Sequence, residues 1–489
     1  MKNSLLKIVC LLFAIAMMLP TFAACKKNKG EGDTTAAQNA QGEVTTVEEE
    51  VPPVPETDWG GELFTVLSLK HYVEPNFEVV GMAKGNNVSA AVYKRNLAIA
   101  DRYGVDIQEY GDANLDYVEL LEKTLENGDD PFDLVFLYRD DMARAIQMGL
   151  MKELSNVSYL NLENDWYNDN TINSMKISGR LFHMVSDFSL IDKARTNVLF
   201  LNRDLAAANQ IPDILASVKD GNWTIEKMLE YQQTVAHDTG DGVLDLNDYW
   251  GLACGGIEAC STFWVALGNQ VVTVDDDETF SVNLATTKSI NSIEKVRKIY
   301  DETLSFSEDK FGTTSDAFNA FVEQRCLFLS ETLSTIEKIS PVAEFSFTAL
   351  PYPKYDTAQA QYYTTNDNTF CATFGIPVCA RDFSFSGFMI EVLSWQSHTT
   401  TFPEYYNKVC KVQNSYDAEC AAMLDLVFEG LIFDFGLINS QNVKGLRNML
   451  QKSILKGENI TSLYEGEAER FDNEIQMIFD SMKEINTEA

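Results

Sequence analysis

The stretch that decides the fold runs from residue 63 to residue 138: LFTVLSL at 63–69, AAVYKRNLAIADRY at 90–103, VDI at 105–107, YVELLEKTL at 117–125 and DLVFLY at 133–138. The first segment is a continuous apolar run of strand length and reads as a buried strand. The second is of helical length, with Ser89 placed to cap its start and Gly104 to stop it. Val105 and Ile107 alternate with polar residues as a second strand. The fourth segment carries Val118, Leu121 and Leu125 on one helical stripe with Gly128 beyond it, and the fifth is a third strand. Strands separated by helices pair in parallel, as βαβ units. Ligands of such sheets gather outside the carboxyl ends of the strands. That makes Lys70, His71 and Tyr72, and likewise Tyr138, Arg139 and Asp140, a candidate binding edge.

A second α/β region begins near residue 196, where 198–201 reads as a strand leading into Asn202-Arg203-Asp204-Leu205. Helical patterns cover 289–302 and 385–395, and Ala468, Phe471, Ile475, Phe479, Met482 and Ile485 form an amphipathic stripe that predicts a helix packed on a lobe. With 489 residues, 45% of them apolar, the chain has material for two or three domains. Its 38 basic and 73 acidic residues give a net charge of −35. Such a field excludes binding along nucleic-acid phosphates and electrostatic docking on an anionic membrane.

The N-terminus reads as an export signal. Lys2 and Lys7 precede the apolar run IVCLLFAIAMML at 8–19, then Pro20, and small residues come just before Cys25. The run is shorter than the roughly 20 residues a membrane span needs. Residues 26–58, rich in Gly, Thr, Gln and Glu and ending in the prolines of VPPVP at 51–55, hold too little apolar surface to offset the entropy of ordering and read as a tether. Beyond it the cysteines are Cys254, Cys260, Cys326, Cys371, Cys379, Cys410 and Cys420. Local pairs such as Cys254–Cys260 or Cys371–Cys379 are conceivable, but buried free thiols are the expected state.

The TFAAC segment at 21–25 resembles the lipobox of bacterial lipoproteins, with Phe22 where Leu is usual. The resemblance implies removal of residues 1–24, a lipid on Cys25, a tether over 25–58 and a place on the outer face of the plasma membrane. Several further segments resemble the family 1 extracellular solute-binding proteins of ATP-driven (ABC) importers, the class of maltose-binding protein. They are VLFLNRDLAAANQIPDILASVKDGNWTIEKML at 198–229, FDLVFLYRDDMARAIQMGLM at 132–151, FGIPV at 374–378, and the segments 90–103 and 417–435. Residues 321–329 depart from the family's Gly-x-x-Ala-Met stretch. The resemblance implies a two-lobed α/β fold, periplasmic-binding-protein-like, crossed three times by hinge segments near 188–196, 345–352 and 396–404. Lobe one is then 59–190 with 350–398, and lobe two 196–345 with 402–489. It also implies a monomer that closes on a small solute, an oligosaccharide first and a peptide second, and passes it to permease subunits.

Candidate ligand contacts are His71, Tyr72, Tyr138, Arg139 and Asp140 at strand ends, Trp264 on the second-lobe side, Asp187 before the first crossing and Glu331 after a predicted strand. Each has a structural alternative, since most aromatic residues are core and most acids cap helices or meet solvent. Trp166, Trp223 and Trp395 read as structural. The segment HDTGDGVLDLND at 237–248 resembles a calcium loop built from Asp238, Asp241, Asp245 and Asp248. Its acids sit one residue closer than the EF-hand pattern requires, so a solvated acidic turn is the competing reading and no other cofactor is expected. No HExxH, G-x-S-x-G or P-loop occurs, and the histidines, His71, His183, His237 and His398, are scattered. An extracellular carbohydrate-active enzyme and a sensory or adhesion lipoprotein on the same fold are the rival functions.

Overall fold

The computed structural model describes residues 36–38, 44–46, 51–69, 79–112, 114–177, 179–274, 279–307, 314–366, 371–411, 418–439, 443 and 445–484. Residues 1–51 form one unit and 52–489 the other. In the first, β1 (Ala36–Gln38) pairs antiparallel with β2 (Val44–Thr46), a short ladder inside the expected tether. The body begins before residue 58, the expected end of the tether. Pro52 is buried, Glu56 pairs with Arg102, and the Trp59 ring lies 4.6 Å from Phe385 and 5.4 Å from Phe388. Pro52, Val54 and Trp59 supply apolar surface that the body buries.

In the body, β3 (Glu62–Leu67) leads to α1 (Asn87–Tyr103), β4 (Val105–Tyr110), α2 (Tyr117–Asn127), β5 (Leu134–Tyr138) and α3 (Arg139–Gln147). β3 runs parallel to both β4 and β5, with Val66 opposite Leu134 and Leu67 opposite Tyr110. Phe64, Val66 and Leu67 are fully buried, whereas Leu63 is 43% exposed at the strand's outer end. α1 starts before the expected Ser89 cap, because the Asn86 side chain accepts from the Ser89 amide while Ser89 Oγ accepts from Met82 N. Gly104 ends it at φ +61°, a left-handed turn that favours glycine. On α2 the stripe is Tyr117, Val118 and Leu121, and Leu125 is 43% exposed.

After α4 (Asp169–Met175) and the single turn α5 (Ile191–Ala194), the chain enters a second sheet at β6 (Asn197–Asn202). There follow β7 (Trp250–Cys254), α6 (Gly256–Ala266), the hairpin β8 (Val272–Val274) with β9 (Phe280–Val282), α7 (Thr287–Ile299), β10 (Ser305–Ser307), β11 (Cys326–Thr332) and β12 (Phe347–Leu350). The five-stranded order is β10-β7-β11-β6-β12, with β11 parallel to β7 and antiparallel to β6. The departure at 321–329 therefore runs into a central strand, five of whose residues are fully covered. β13 (Ala372–Gly375) returns to the first sheet, antiparallel to β5, and completes the order β13-β5-β3-β4. The remainder is helical: α8 (Phe383–Thr399), α9 (Thr401–Lys411), α10 (Ala418–Glu429), α11 (Phe435–Ile438), α12 (Leu446–Lys456) and α13 (Ala468–Glu484). Phe471, Ile475 and Phe479 on α13 are buried, as the terminal stripe requires.

One crossing is displaced from its expected place. The chain first leaves the four-stranded sheet between Met184, bridged to Phe374, and Asn197 in β6. At 345–352 it does not cross: β12 is a wholly buried edge strand antiparallel to β6, and residues 351–364 stay on the second lobe. There Pro351 O accepts from Trp223 Nε1 at 3.0 Å and Tyr362 Oη donates to Val218 O at 2.8 Å. The crossing lies between Asn366, bridged to Thr196, and β13. At the third, α9 touches both lobes, packing on α1 of the first while Lys408 pairs with Glu337 of the second, and α10 packs on β12.

Candidate functional site

At the carboxyl end of β5 the chain turns directly into α3, and Arg139, the first helical residue, is 1% exposed. Its guanidinium carbon lies 5.7 Å from the centre of the Phe433 ring, which belongs to the second lobe. Asp434, next in sequence and fully buried, caps α11: Oδ1 accepts from Leu437 N at 2.9 Å and Oδ2 from Val271 N at 2.6 Å. Burial pushes the Asp434 carboxyl up to about 6, against those amides and the Arg139 charge. Arg447 on α12 is lowered to about 10, first by burial and then by Arg139, while Asp140 opposes the shift. His183 is pushed down to about 3 by burial and Arg139, and its Nδ1 lies 2.9 Å from Thr373 Oγ1. The strand end thus brings Arg139 and Asp140 of one lobe to Phe433, Asp434 and Arg447 of the other. Tyr138 is half-buried at the strand's last position. His71, Tyr72 and Cys25, the expected site of the lipid, lie outside the described residues.

A second interlobe region lies at the crossings. Asp187 Oδ2 is 2.7 Å from His398 Nδ1, and Oδ1 is 3.4 Å from Lys193 Nζ, which stands 2.6 Å from Asp192 Oδ2. The Asp192 carbonyl accepts from Asn366 Nδ2 at 2.6 Å and Thr196 Oγ1 at 2.7 Å. Burial raises the Asp192 carboxyl, opposed by Lys193. For Lys193 itself burial works downward, but Asp192 and Asp187 outweigh it and hold the ammonium above the usual lysine value. Asp187, expected as a ligand contact, is thus held by Lys193 and His398. It lines a cavity of about 800 Å³ walled by residues 163–171 of the first lobe, Phe402 and Tyr406 of α9, and Asp425, Phe428 and Glu429 of α10. Trp166, read from sequence as structural, is in that wall. No sequence signal joined the two walls, because residues 163–171 and 402–429 are more than 200 positions apart.

Two other expected contacts are elsewhere. Trp264 is 0% exposed in the second-lobe core, its carbonyl accepting from Asn269 Nδ2 at 2.8 Å. Its position on α6 places the indole among core side chains rather than on a ligand face. Glu331 is half-buried at the end of β11, where Oε2 accepts from Thr332 N at 3.3 Å and Thr335 Oγ1 at 3.4 Å. In the acidic loop the carboxylates accept from the loop itself: Asp238 from Gly240 N and Gly242 N, Asp241 from Val243 N, Asp245 from Asn247 N, and Asp248 from Thr239 N and Asp245 N. Among the described residues no three His, Cys, Asp or Glu side chains converge on a metal position. His237 is stacked on Tyr249 at 4.6 Å. Among the described residues no helix is long and apolar enough to cross a membrane.

No protein-family model and no curated protein matches the chain. Solved structures do. A cyclo/maltodextrin-binding protein complexed with maltotetraose aligns with 90% of this chain and 99% of its own at 13% identity, TM-score 0.56. The sugar-binding protein MalE from the phytopathogen Xanthomonas citri aligns with 87% and 100% at 11% identity, TM-score 0.56. A family 1 extracellular solute-binding protein from Bifidobacterium longum subsp. infantis aligns with 82% and 97% at 12% identity, TM-score 0.53. Two sheets joined by three crossings, superposing on these binding proteins over most of both chains, give this chain the two-lobed α/β fold of family 1 solute-binding proteins.

Proposed function

We propose that the protein is an extracellular, lipid-anchored receptor that captures a small solute, an oligosaccharide first, between its lobes and delivers it unaltered to the permease of an ABC transporter. The observation that carries this reading is the seam at the end of β5, where Arg139 and Asp140 act on Phe433, Asp434 and Arg447 of the opposite lobe. Contacts of this kind exist only when the lobes are together, so a guest that adds to them favours closure by its differential affinity. Moving a 1:99 population to 99:1 takes about 5.5 kcal/mol of such preference, within reach of a few hydrogen bonds and one stacked ring. In sequence, His71 and Tyr72 come shortly after β3, the strand that pairs with β5. The sugar-binding neighbours of the same fold support the choice of solute class. The small residues before Cys25 support the lipid anchor and, with it, a place on the outer face of the plasma membrane.

The test is a thermal-shift and calorimetric screen of the mature protein against maltodextrins, other oligosaccharides and short peptides. One oligosaccharide is expected to bind saturably and to stabilise by about 2.7 kcal/mol at a hundred times its Kd. The sugar should be recovered with its linkages intact. Turnover of the sugar, or saturation by peptides alone, would overturn the reading. Cys25→Ser should move the protein from the membrane fraction to the medium.

A further inference from the structure

Capture at the strand ends leaves the cavity at the crossings without a role, and we infer that it is a separate binding site for an alkylammonium cation, best a quaternary one. Phe402, Tyr406 and Phe428 form a triangle of rings with centroids 6.0, 6.1 and 6.5 Å apart. Trp166, from the first lobe, shares the lining, its ring 6.2 Å from His398. Aromatic faces carry a negative quadrupole and attract cations within about 6 Å. One of these rings already does so inside the protein, since Lys193 Nζ stands 5.9 Å from the Phe402 centroid. That ammonium is matched by Asp192 and Asp187, which leaves the surrounding charge strongly negative.

Six carboxylates line the cavity against a single lysine. Asp425 and Glu429 stand on α10, and Asp165 and Asp169 on the facing segment. The two walls are joined by Asn168 Nδ2 donating to Phe428 O at 3.0 Å and Asn170 Nδ2 to Glu429 O at 2.6 Å. An anion is repelled here, and a neutral polyol makes no use of the charge excess. A bare metal ion needs several oxygens at one point, and the described side chains do not converge on one. A cation of organic size meets both features, rings against its methyl groups and carboxylates around its charge.

Calorimetry and tryptophan fluorescence at low ionic strength, with choline as the probe and 3,3-dimethylbutan-1-ol as its uncharged isostere, test the assignment. Choline should saturate and the alcohol should not, and added salt should weaken binding. Trp166→Ala should weaken choline about tenfold through loss of a ring face. The exposed pair Asp425→Asn with Glu429→Gln should do the same through charge alone while the fold, followed by circular dichroism, is unchanged. Equal binding of the alcohol, absence of saturation, or unchanged affinity in the charge variant would overturn the assignment. Oligosaccharide affinity measured on the same variants is expected to stay at its original value, so failure of either reading is visible separately.

Discussion

The two regions where the lobes face each other are built in opposite ways. At the end of β5 the lobes are in contact: Arg139 is buried against Phe433, and Asp434 is enclosed with amides on both oxygens. At the crossings they part around a cavity where Lys193 pairs with Asp187 and Asp192, and the exposed Asp425 and Glu429 are among the lining residues. A dense contact costs much when one member is removed, whereas an open, hydrated one tolerates change, so substitutions in the two regions should differ in size.

The largest effect is expected at Arg139. Arg139→Ala removes the cation that faces a buried carboxylate and should cost about 3–5 kcal/mol in urea unfolding, with Arg139→Lys recovering part. A cost below about 0.5 kcal/mol would erase the contrast between the regions. Asp434 gives the next effect, and its sign follows from a folded pKa raised from 3.8 to about 6. The folded state holds the proton longer than the unfolded chain, so stability should fall as pH rises from about 4 to about 6 and level off above, by about 3 kcal/mol in all. Asp434→Asn should flatten this slope; a residue of it should persist from Asp133, also pushed up to about 6 by burial.

A control lies outside both regions. Asp248→Ala releases the amides of Thr239 and Asp245 and should cost about 2 kcal/mol without changing the small-angle scattering profile. Because those carboxylate oxygens are already bonded within the loop, calcium should move the Tm of the parent protein by less than about 1 °C. The smallest effect belongs to the open region. His398 is 38% exposed, so His398→Ala, which breaks the pair with Asp187, should cost no more than about 1 kcal/mol. A larger loss would mean that the crossings, and not the β5 seam, hold the lobes.

Much of this was legible in the sequence and some was not, for physical reasons. The parallel units of the first sheet follow from local patterns, and α1, β4, α2 and β5 fall within a few residues of expectation. The second crossing was misplaced because FTAL at 347–350 looks the same whether it leaves a sheet or closes its edge, and only pairing with β6 decides. Asp187 stood out by its position before a crossing, but no local feature marked Lys193 and His398 as its partners. Trp264 sits on a segment with apolar residues on every side, which is the pattern of a core helix rather than of a ligand face. The rings at the crossings come from segments whose spacing reports nothing about contact.

The return of β13 to β5 bears on how the chain folds. The first sheet lacks its edge strand until the whole second sheet has emerged, because Ala372 pairs with Tyr138 across everything between. Until then the open side of β5 is a hydrophobic edge able to pair with another chain. The closing of that ladder, a contact of very long sequence separation, is where slow steps and misassembly should concentrate.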